Sequence, residues 1–214
     1  MKKFGFLLVF LFFIGLLSNI QAQRAIKNGF SINAVLGIPS ENFGLDGVPE
    51  LLNSDLQLKM LYGLQLGNRW YFKTTNQYGI GLMVNWIDFT VGLKSTTIGY
   101  SDYGIAALDF TFLEMGPIGT FAISEDMAID GYYNLRPTVF SWAIASEDED
   151  SYAAAGTGFS HTIGAAFRYK ALNIGLEYVL GSIKVSQDED SGLNIPNNGK
   201  MNANSFRIII GAKF

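Results

Sequence analysis

The chain has no cysteine, a single histidine and few charges, since only 16% of its 214 residues are Asp, Glu, Lys or Arg. Without cysteine there can be no disulfide, no thiolate chemistry and no lipid attached through cysteine, so we expect no lipid anchor. No apolar run beyond the N-terminus approaches the ~20 residues of a membrane helix. The hydrophobic share is nevertheless 49%, high for a soluble protein, so the apolar residues must be distributed in another way.

The N-terminus carries the one long apolar run, residues 4–17, which two lysines precede and a short polar segment follows. This order is typical of a secretory signal. An uncleaved anchor is the alternative, but the run is shorter than the ~20 residues of a spanning helix. We predict a signal peptide over residues 1–22, cleaved after Ala22, and one domain over residues 23–214.

Beyond the signal, apolar and small or polar residues alternate with a period of two, most clearly in Leu58–Gly67 and Leu172–Gly181. A strand that crosses a membrane at a tilt needs about 9–11 residues. The parity slips after Trp86, which predicts a β-bulge there; residues 116–123 are left unassigned. Six further segments alternate more weakly, near residues 28–38, 77–91, 103–115, 128–143, 157–169 and 203–214. The fold class predicted is all-β, an eight-stranded antiparallel up-and-down transmembrane β-barrel.

The predicted connections alternate in length, which places both termini on the periplasmic side of a transmembrane barrel. A soluble barrel is the competing fold, because alternation alone does not say which face meets solvent. Glycines on the weakly polar face and aromatics suited to interfacial girdles favour the membrane barrel. The aromatics are Tyr71, Tyr78, Trp86, Tyr169 and Tyr178. The long connections are residues 39–56, 92–102, 144–156 and 186–202, and the short ones 73–76, 124–127 and 170–171.

The last nine residues place apolar side chains at every second position up to a terminal aromatic. This pattern resembles the signal that the outer-membrane assembly machinery recognises, carried here by Phe206, Ile208, Ile210, Ala212 and Phe214. With residues 172–178, Gly181 and the eight-strand spacing, residues 24–214 resemble the PorT-like outer-membrane β-barrel family, whose architecture is similar to OmpX and the OmpA barrel. The resemblance implies a fold and an outer-membrane location, and it supplies no active site.

Parity directs a set of charged side chains into the predicted lumen, where desolvated ions must be paired. We expect a structural network rather than a conducting pore, with Glu177 and Arg207 as the preferred pair because they lie on adjacent final strands. The network comprises Lys59, Arg69, Asp109, Asp130, Arg136, Arg168, Glu177 and Arg207, with Lys213 beside it.

The single histidine, His161, invites an enzymatic interpretation because some eight-stranded barrels deacylate lipid A with a lipid-facing His and Ser. Here His161 lies on the outward face, whereas Ser160 and Thr162 face the lumen and residue 163 is isoleucine. We therefore expect a girdle or loop-edge histidine. The acidic runs 147–150 and 188–190 are expected to be solvated, with binding of divalent cations as the alternative. No catalytic residue, cofactor or specific metal site is predicted.

The function expected is that of a non-enzymatic outer-membrane protein of a Gram-negative envelope, with a structural or interaction role through its long loops. An accessory role in a larger outer-membrane complex, a narrow pore for small solutes and, less favoured, a lipid-modifying enzyme remain as alternatives. The partners expected are outer-membrane lipid and lipopolysaccharide, the assembly machinery during biogenesis and a protein at the extracellular loops. The excess of acidic side chains argues against nucleic acid.

Overall fold

The computed structural model describes residues 25–40, 43–45, 57–98, 100–146, 152–184 and 199–214, which therefore exclude the predicted signal peptide and both acidic runs. No helix among these residues is long and apolar enough to cross a membrane. The strands are β1 (Gly29–Pro39), β2 (Gly44–Leu45), β3 (Leu61–Thr74), β4 (Tyr78–Ile98), β5 (Ser101–Ala122), β6 (Met127–Ser146), β7 (Tyr152–Tyr169), β8 (Leu172–Lys184), β9 (Lys200–Asn202) and β10 (Ser205–Lys213).

Eight strands close into a ring in which every neighbouring pair is antiparallel. They follow one another in chain order, from β1 through β3–β8 to β10, and β10 pairs with β1 to close the ring. The short strands β2 and β9 pair with each other, and β9 also pairs antiparallel with residues 182–184 of β8. The predicted eight-stranded antiparallel up-and-down barrel is confirmed.

The eight strands of the ring differ greatly in length. β1, β3, β8 and β10 have 9–14 residues, whereas β4–β7 have 18–22 residues. The extra length corrects two sequence expectations, because much of residues 92–102 and 144–156 forms strand rather than long loop. The short connections near residues 75–77, 123–126 and 170–171 are turns as predicted.

Polarity inverts along the long strands. On β6 the outward position Val139 is followed by Ser141, while the inward side chains change from Arg136 to the buried Phe140 and Trp142. We call the part of the barrel between the short turns and this inversion the turn half, and the part beyond it the loop half. The turn half is apolar outside and polar inside. The loop half has mostly small or polar residues outside, with Leu93 as an exposed exception, and an apolar core inside.

The core of the loop half holds the short strands in place. Phe43, beside β2, meets the ring of Phe140 edge-on at 5.1 Å between centroids. The alternation over Leu58–Gly67 predicts that Leu58 shares the outward face of Tyr62. Leu58 instead lies in this core, because β3 begins only at Leu61 and the alternation does not reach back to residue 58. The buried members are Leu58, Leu61, Ile105, Ala107, Phe140, Trp142, Ile144, Ala154, Ile183, Met201 and Ala203.

Bulges adjust which side chains enter the lumen. The register between β3 and β4 shifts by one residue at Trp86, where the sequence predicted a bulge. Another shift separates Thr111 from Met115 on β5, and within it Leu113 has a φ of 64°, a left-handed conformation that is unfavourable for leucine.

Candidate functional site

The turn half of the lumen collects the charged side chains, because inward positions on seven ring strands all point to one narrow axis. All predicted members of the network except Lys59 are buried, and so is Lys213. Lys59 is exposed, which corrects its assignment: β3 begins two residues later, so strand parity does not apply to it. The buried set comprises Arg69, Asp109, Asp130, Arg136, Arg168, Glu177, Arg207 and Lys213.

Two buried acids, Asp88 and Glu114, were missed from the sequence. Asp88 follows the bulge at Trp86. After this bulge the outward positions begin at Ile87, so Asp88 falls on the inward face. Glu114 follows Leu113, whose left-handed backbone belongs to the bulge on β5. Bulges commonly re-aim side chains in this way. Glycine usually marks a left-handed position, so a leucine there gave no signal.

Asp88 is the centre of what we call the acidic cluster, formed by Asp88, Asp109, Glu114 and Glu177 with Arg136 and Arg207. Arg207 donates from Nη1 to Asp88 Oδ2 at 2.7 Å, and Arg136 donates from Nη2 to the same oxygen at 3.4 Å. Asp109 also accepts from both arginines, at 3.4 Å. The two guanidinium groups thus form ion pairs with four carboxyl groups, and all six side chains are at most 1% exposed.

The predicted pair of Glu177 and Arg207 is adjacent in register, but their closest atoms, Arg207 Nη1 and Glu177 Oε2, are 3.8 Å apart. Arg207 is closer to Asp88, across the lumen. Glu177 instead accepts hydrogen bonds from Tyr132 Oη at 2.9 Å and Gln65 Nε2 at 3.3 Å. The pair exists, but neither residue has the other as its shortest contact.

A second group, the basic cluster, lies toward the short turns and comprises Arg69, Arg168 and Lys213 with Asp130. Arg168 donates to both oxygens of Asp130, from Nε at 2.7 Å and from Nη2 at 2.9 Å. Asp130 also accepts from Thr120 Oγ1 at 2.6 Å and is 3.6 Å from Arg69 Nε. Lys213 donates to the backbone oxygen of Lys27 at 2.6 Å. One carboxylate therefore stands among three cationic side chains.

The two clusters bridge the lumen from wall to wall. Arg69 of β3 donates to Asn173 of β8 at 3.3 Å, and Gln65 of β3 reaches Glu177 of β8. Between the clusters, Met83, Ile118, Tyr132 and Ala166 form a small apolar layer. Such a lumen is packed with side chains across its width, as expected for eight strands.

The outer surface of the turn half is apolar, and large hydrophobic side chains on all eight ring strands are exposed. Tyr78, Trp86, Tyr169 and Tyr178 lie on it as the girdle prediction required. Tyr71 does not: its hydroxyl contacts Thr120 Oγ1 at 2.7 Å inside the barrel, because it continues the inward parity of Arg69. This combination of apolar exterior and polar, filled interior is that of a transmembrane β-barrel.

His161 faces outward, as its parity predicted, whereas the adjacent Ser160 is buried on the lumenal face. Its Nδ1 is 2.6 Å from Tyr133 Oη, and the two rings stack with centroids 5.8 Å apart. Among the described residues, no group of three or more His, Asp or Glu side chains is arranged to hold a metal ion.

The final strand keeps the alternation that the sequence predicted. Phe206 and Ile210 are exposed, Ile208 and Phe214 are partly exposed, and Ala212 is buried. Recognition of this strand by the assembly machinery stays a prediction.

The fold and the filled lumen define a β-barrel of the transmembrane kind. Neither a family model nor a curated protein matches the chain. Among solved structures, Ail of Yersinia pestis, in complex with the heparin analogue sucrose octasulfate, is 17% identical with a TM-score of 0.45, covering 87% of this chain and 97% of its own.

Two other solved structures are similar to the chain. The outer-membrane protease OmpT of Escherichia coli is 9% identical with a TM-score of 0.46, over 87% of this chain and 95% of its own. The outer-membrane protein OprG of Pseudomonas aeruginosa is 16% identical with a TM-score of 0.42, over 92% of this chain and 99% of its own. At such identities and TM-scores the likeness says nothing about an activity or ligand of this chain.

Proposed function

We propose that the chain is an outer-membrane β-barrel protein of a Gram-negative envelope that has no enzymatic activity and presents its loop half to a partner outside the cell. In this proposal residues 1–22 are the cleaved export signal, the short turns face the periplasm, and the barrel belongs to the PorT-like family. Outer-membrane lipid surrounds the turn half.

The extended loop half is the observation that carries the proposal. Strands β4–β7 are about twice as long as a membrane crossing requires. Beyond the apolar surface they form a sheet with its own core, against which β2 and β9 are held. Such a scaffold positions loops rigidly, which lowers the entropic cost of binding a partner. Tyr100, at the tip between β4 and β5, is fully exposed, and aromatic side chains of this kind are frequent anchors in interfaces.

The filled lumen supports a binding role over conduction. Charged side chains from opposite walls contact one another across its width, in the acidic cluster and again in the basic cluster. A solute would have to displace buried ion pairs in two successive layers, which is costly.

Single-cysteine labelling tests the location and orientation, because the chain has no cysteine of its own. Tyr100→Cys lies at the tip of the loop half, and the matched control Asn76→Cys lies in an exposed short turn. In intact cells a membrane-impermeant maleimide should label position 100 and not position 76, and both after lysis. Labelling of position 76 alone in intact cells would mean that the barrel has the opposite orientation. If neither position of a folded barrel is labelled after lysis, the loop half is not an exposed surface.

A partner is tested with the same two positions. A photo-crosslinking amino acid at position 100 should join the chain to a discrete protein in intact cells, whereas one at position 76 should not give that product. If position 100 gives no product while the barrel is folded and surface-exposed, the partner role is wrong and a purely structural role remains.

A further inference from the structure

His161 and Tyr133 form a polar pair on the apolar exterior of the barrel. Tyr133 is 43% exposed and His161 is partly exposed, and the hydrogen bond between them is 2.6 Å long. Leu135 and Leu180 lie beside His161 in the register of the flanking strands, and both are exposed apolar side chains. In the proposed membrane orientation this pair faces lipid, where polar groups are rare and usually functional.

The pair has more hydrogen-bond donors than its internal contact uses. A tyrosine hydroxyl and a neutral imidazole carry one donor hydrogen each, and the contact between Oη and Nδ1 uses one of them. If Tyr133 donates, the Nε2–H of His161 is left over; if Nδ1–H donates, the Tyr133 O–H is left over. At least one donor therefore faces the lipid whichever tautomer is present, and hydrocarbon offers it no acceptor.

The polarity of the flanking strand places this donor near the outer edge of the bilayer. On β8 the outward side chains are apolar up to Leu180, the residue that pairs with His161, and the next outward residue is Ser182. On β7 the outward positions change from Phe159 to Thr157 just beyond His161. His161 therefore lies one or two outward positions below the change to polar residues, which is a distance of about 7–13 Å along a strand. The lipid groups found at this depth, below the headgroups, are acyl ester carbonyls, which accept hydrogen bonds.

We infer that His161 and Tyr133 form a lipid site that donates a hydrogen bond to an acyl ester carbonyl of an outer-leaflet lipid. The inference rests on the membrane orientation proposed above. The stacked rings hold the donor in place, and Leu135 and Leu180 flank the acyl chain. No bond is made or broken, so the site binds lipid and does not hydrolyse it.

The single histidine makes a direct test available, because a ¹⁵N-histidine-labelled, tag-free chain gives one imidazole. The refolded barrel is placed, one per disc, in nanodiscs of ester-linked phosphatidylcholine or of the ether-linked analogue, which lacks acyl carbonyls. The ring nitrogen resonances of His161 should shift between the two lipids. A second sample labelled with ¹⁵N-tryptophan supplies the control: the assigned indole resonance of Trp142, which is buried in the loop-half core, should not shift.

Two variants sharpen the outcome. Tyr133→Phe removes one of the two donors and should change the shift between ester and ether lipid, whereas Trp86→Phe removes a different outward hydrogen bond, from Trp86 Nε1 to Asn68 Oδ1, and should leave it as in wild type. Unchanged His161 resonances in the two lipids, or exchange of its N–H with water, would overturn the lipid site. A folded transmembrane barrel changes its mobility in SDS gels when it is boiled. A chain that shows this change but no lipid dependence contradicts the lipid site alone, whereas a chain without the change contradicts the proposed function.

Discussion

The two charged clusters of the lumen are opposite in composition. The acidic cluster has four carboxyl groups and two arginines, whereas the basic cluster has three cationic side chains and one carboxylate. In each cluster the minority charge is shared among several partners, so its removal leaves the most uncompensated charge. The contrast teaches that the ion pairs of this lumen are not equivalent, although all are buried.

Arg207→Met should be the most damaging single change. It leaves Asp88, Asp109, Glu114 and Glu177 with only Arg136, and removal of one partner from a buried pair costs about 3–5 kcal/mol. We expect a loss near 5 kcal/mol in the free energy of unfolding, measured by urea titration of the barrel in lipid vesicles. A loss under about 1 kcal/mol, the range of surface pairs, would mean that the acidic cluster does not depend on its arginines.

Asp130→Asn removes the minority charge of the basic cluster, which is a carboxylate rather than an arginine. Arg168 loses a bidentate carboxylate, although asparagine keeps an acceptor for Thr120. We expect a loss of about 3 kcal/mol in the same titration. The control is Glu125→Gln in an exposed turn, which should change stability by less than about 0.5 kcal/mol. Equal effects of the two substitutions would contradict the role assigned to Asp130.

Glu114→Gln removes one of the four carboxyl groups of the acidic cluster and should be mild. Glutamine retains an oxygen for the hydrogen bond that Asn134 donates at 2.9 Å, and Arg136 keeps Asp88 and Asp109. We expect a change within about 1 kcal/mol in either direction, because this substitution leaves both arginines of the cluster with carboxylate partners. If this variant is as unstable as Arg207→Met, the distinction between minority and majority charges fails.

Lys170→Gly should have the smallest effect on the free energy of unfolding, and this effect should be stabilising. Lys170 has a φ of 53° in the exposed turn between β7 and β8, a conformation that glycine adopts without strain. A gain of about 0.5 kcal/mol is expected after the higher chain entropy of glycine in the unfolded state is included. Lys170→Ala, which keeps the strain, is the control and should show no gain.

Much of the barrel could be predicted because alternation is a direct consequence of one face meeting lipid and the other a polar lumen. Parity placed Asp109, Arg136 and Arg207 correctly inside. It failed at Lys59 because it was extended past the start of β3, and at Glu114 because a leucine occupies the left-handed bulge position where glycine is the usual marker.

The sequence predicts loops where the loop half forms strands, for a related reason. Around residues 92–102 and 144–156 most outward residues are small or polar, with Leu93 as the exception, so the strong contrast of the turn half is lost. Its core is assembled from residues distant in sequence, such as Phe43, Leu58 and Met201, which no local pattern connects. Which charges would be neighbours across the lumen was likewise set by the register of the closed ring, as the contact of Arg207 with Asp88 illustrates.

The most direct test of a lumen closed by two charged clusters is single-channel recording of the refolded barrel in planar bilayers. Folding is verified beforehand by the gel mobility shift on boiling. The packed clusters predict no discrete conductance steps, while Arg207→Met, if it folds, should leak more than wild type. Stable, reproducible steps from the wild-type barrel would contradict the closed lumen and make conduction of small solutes its function.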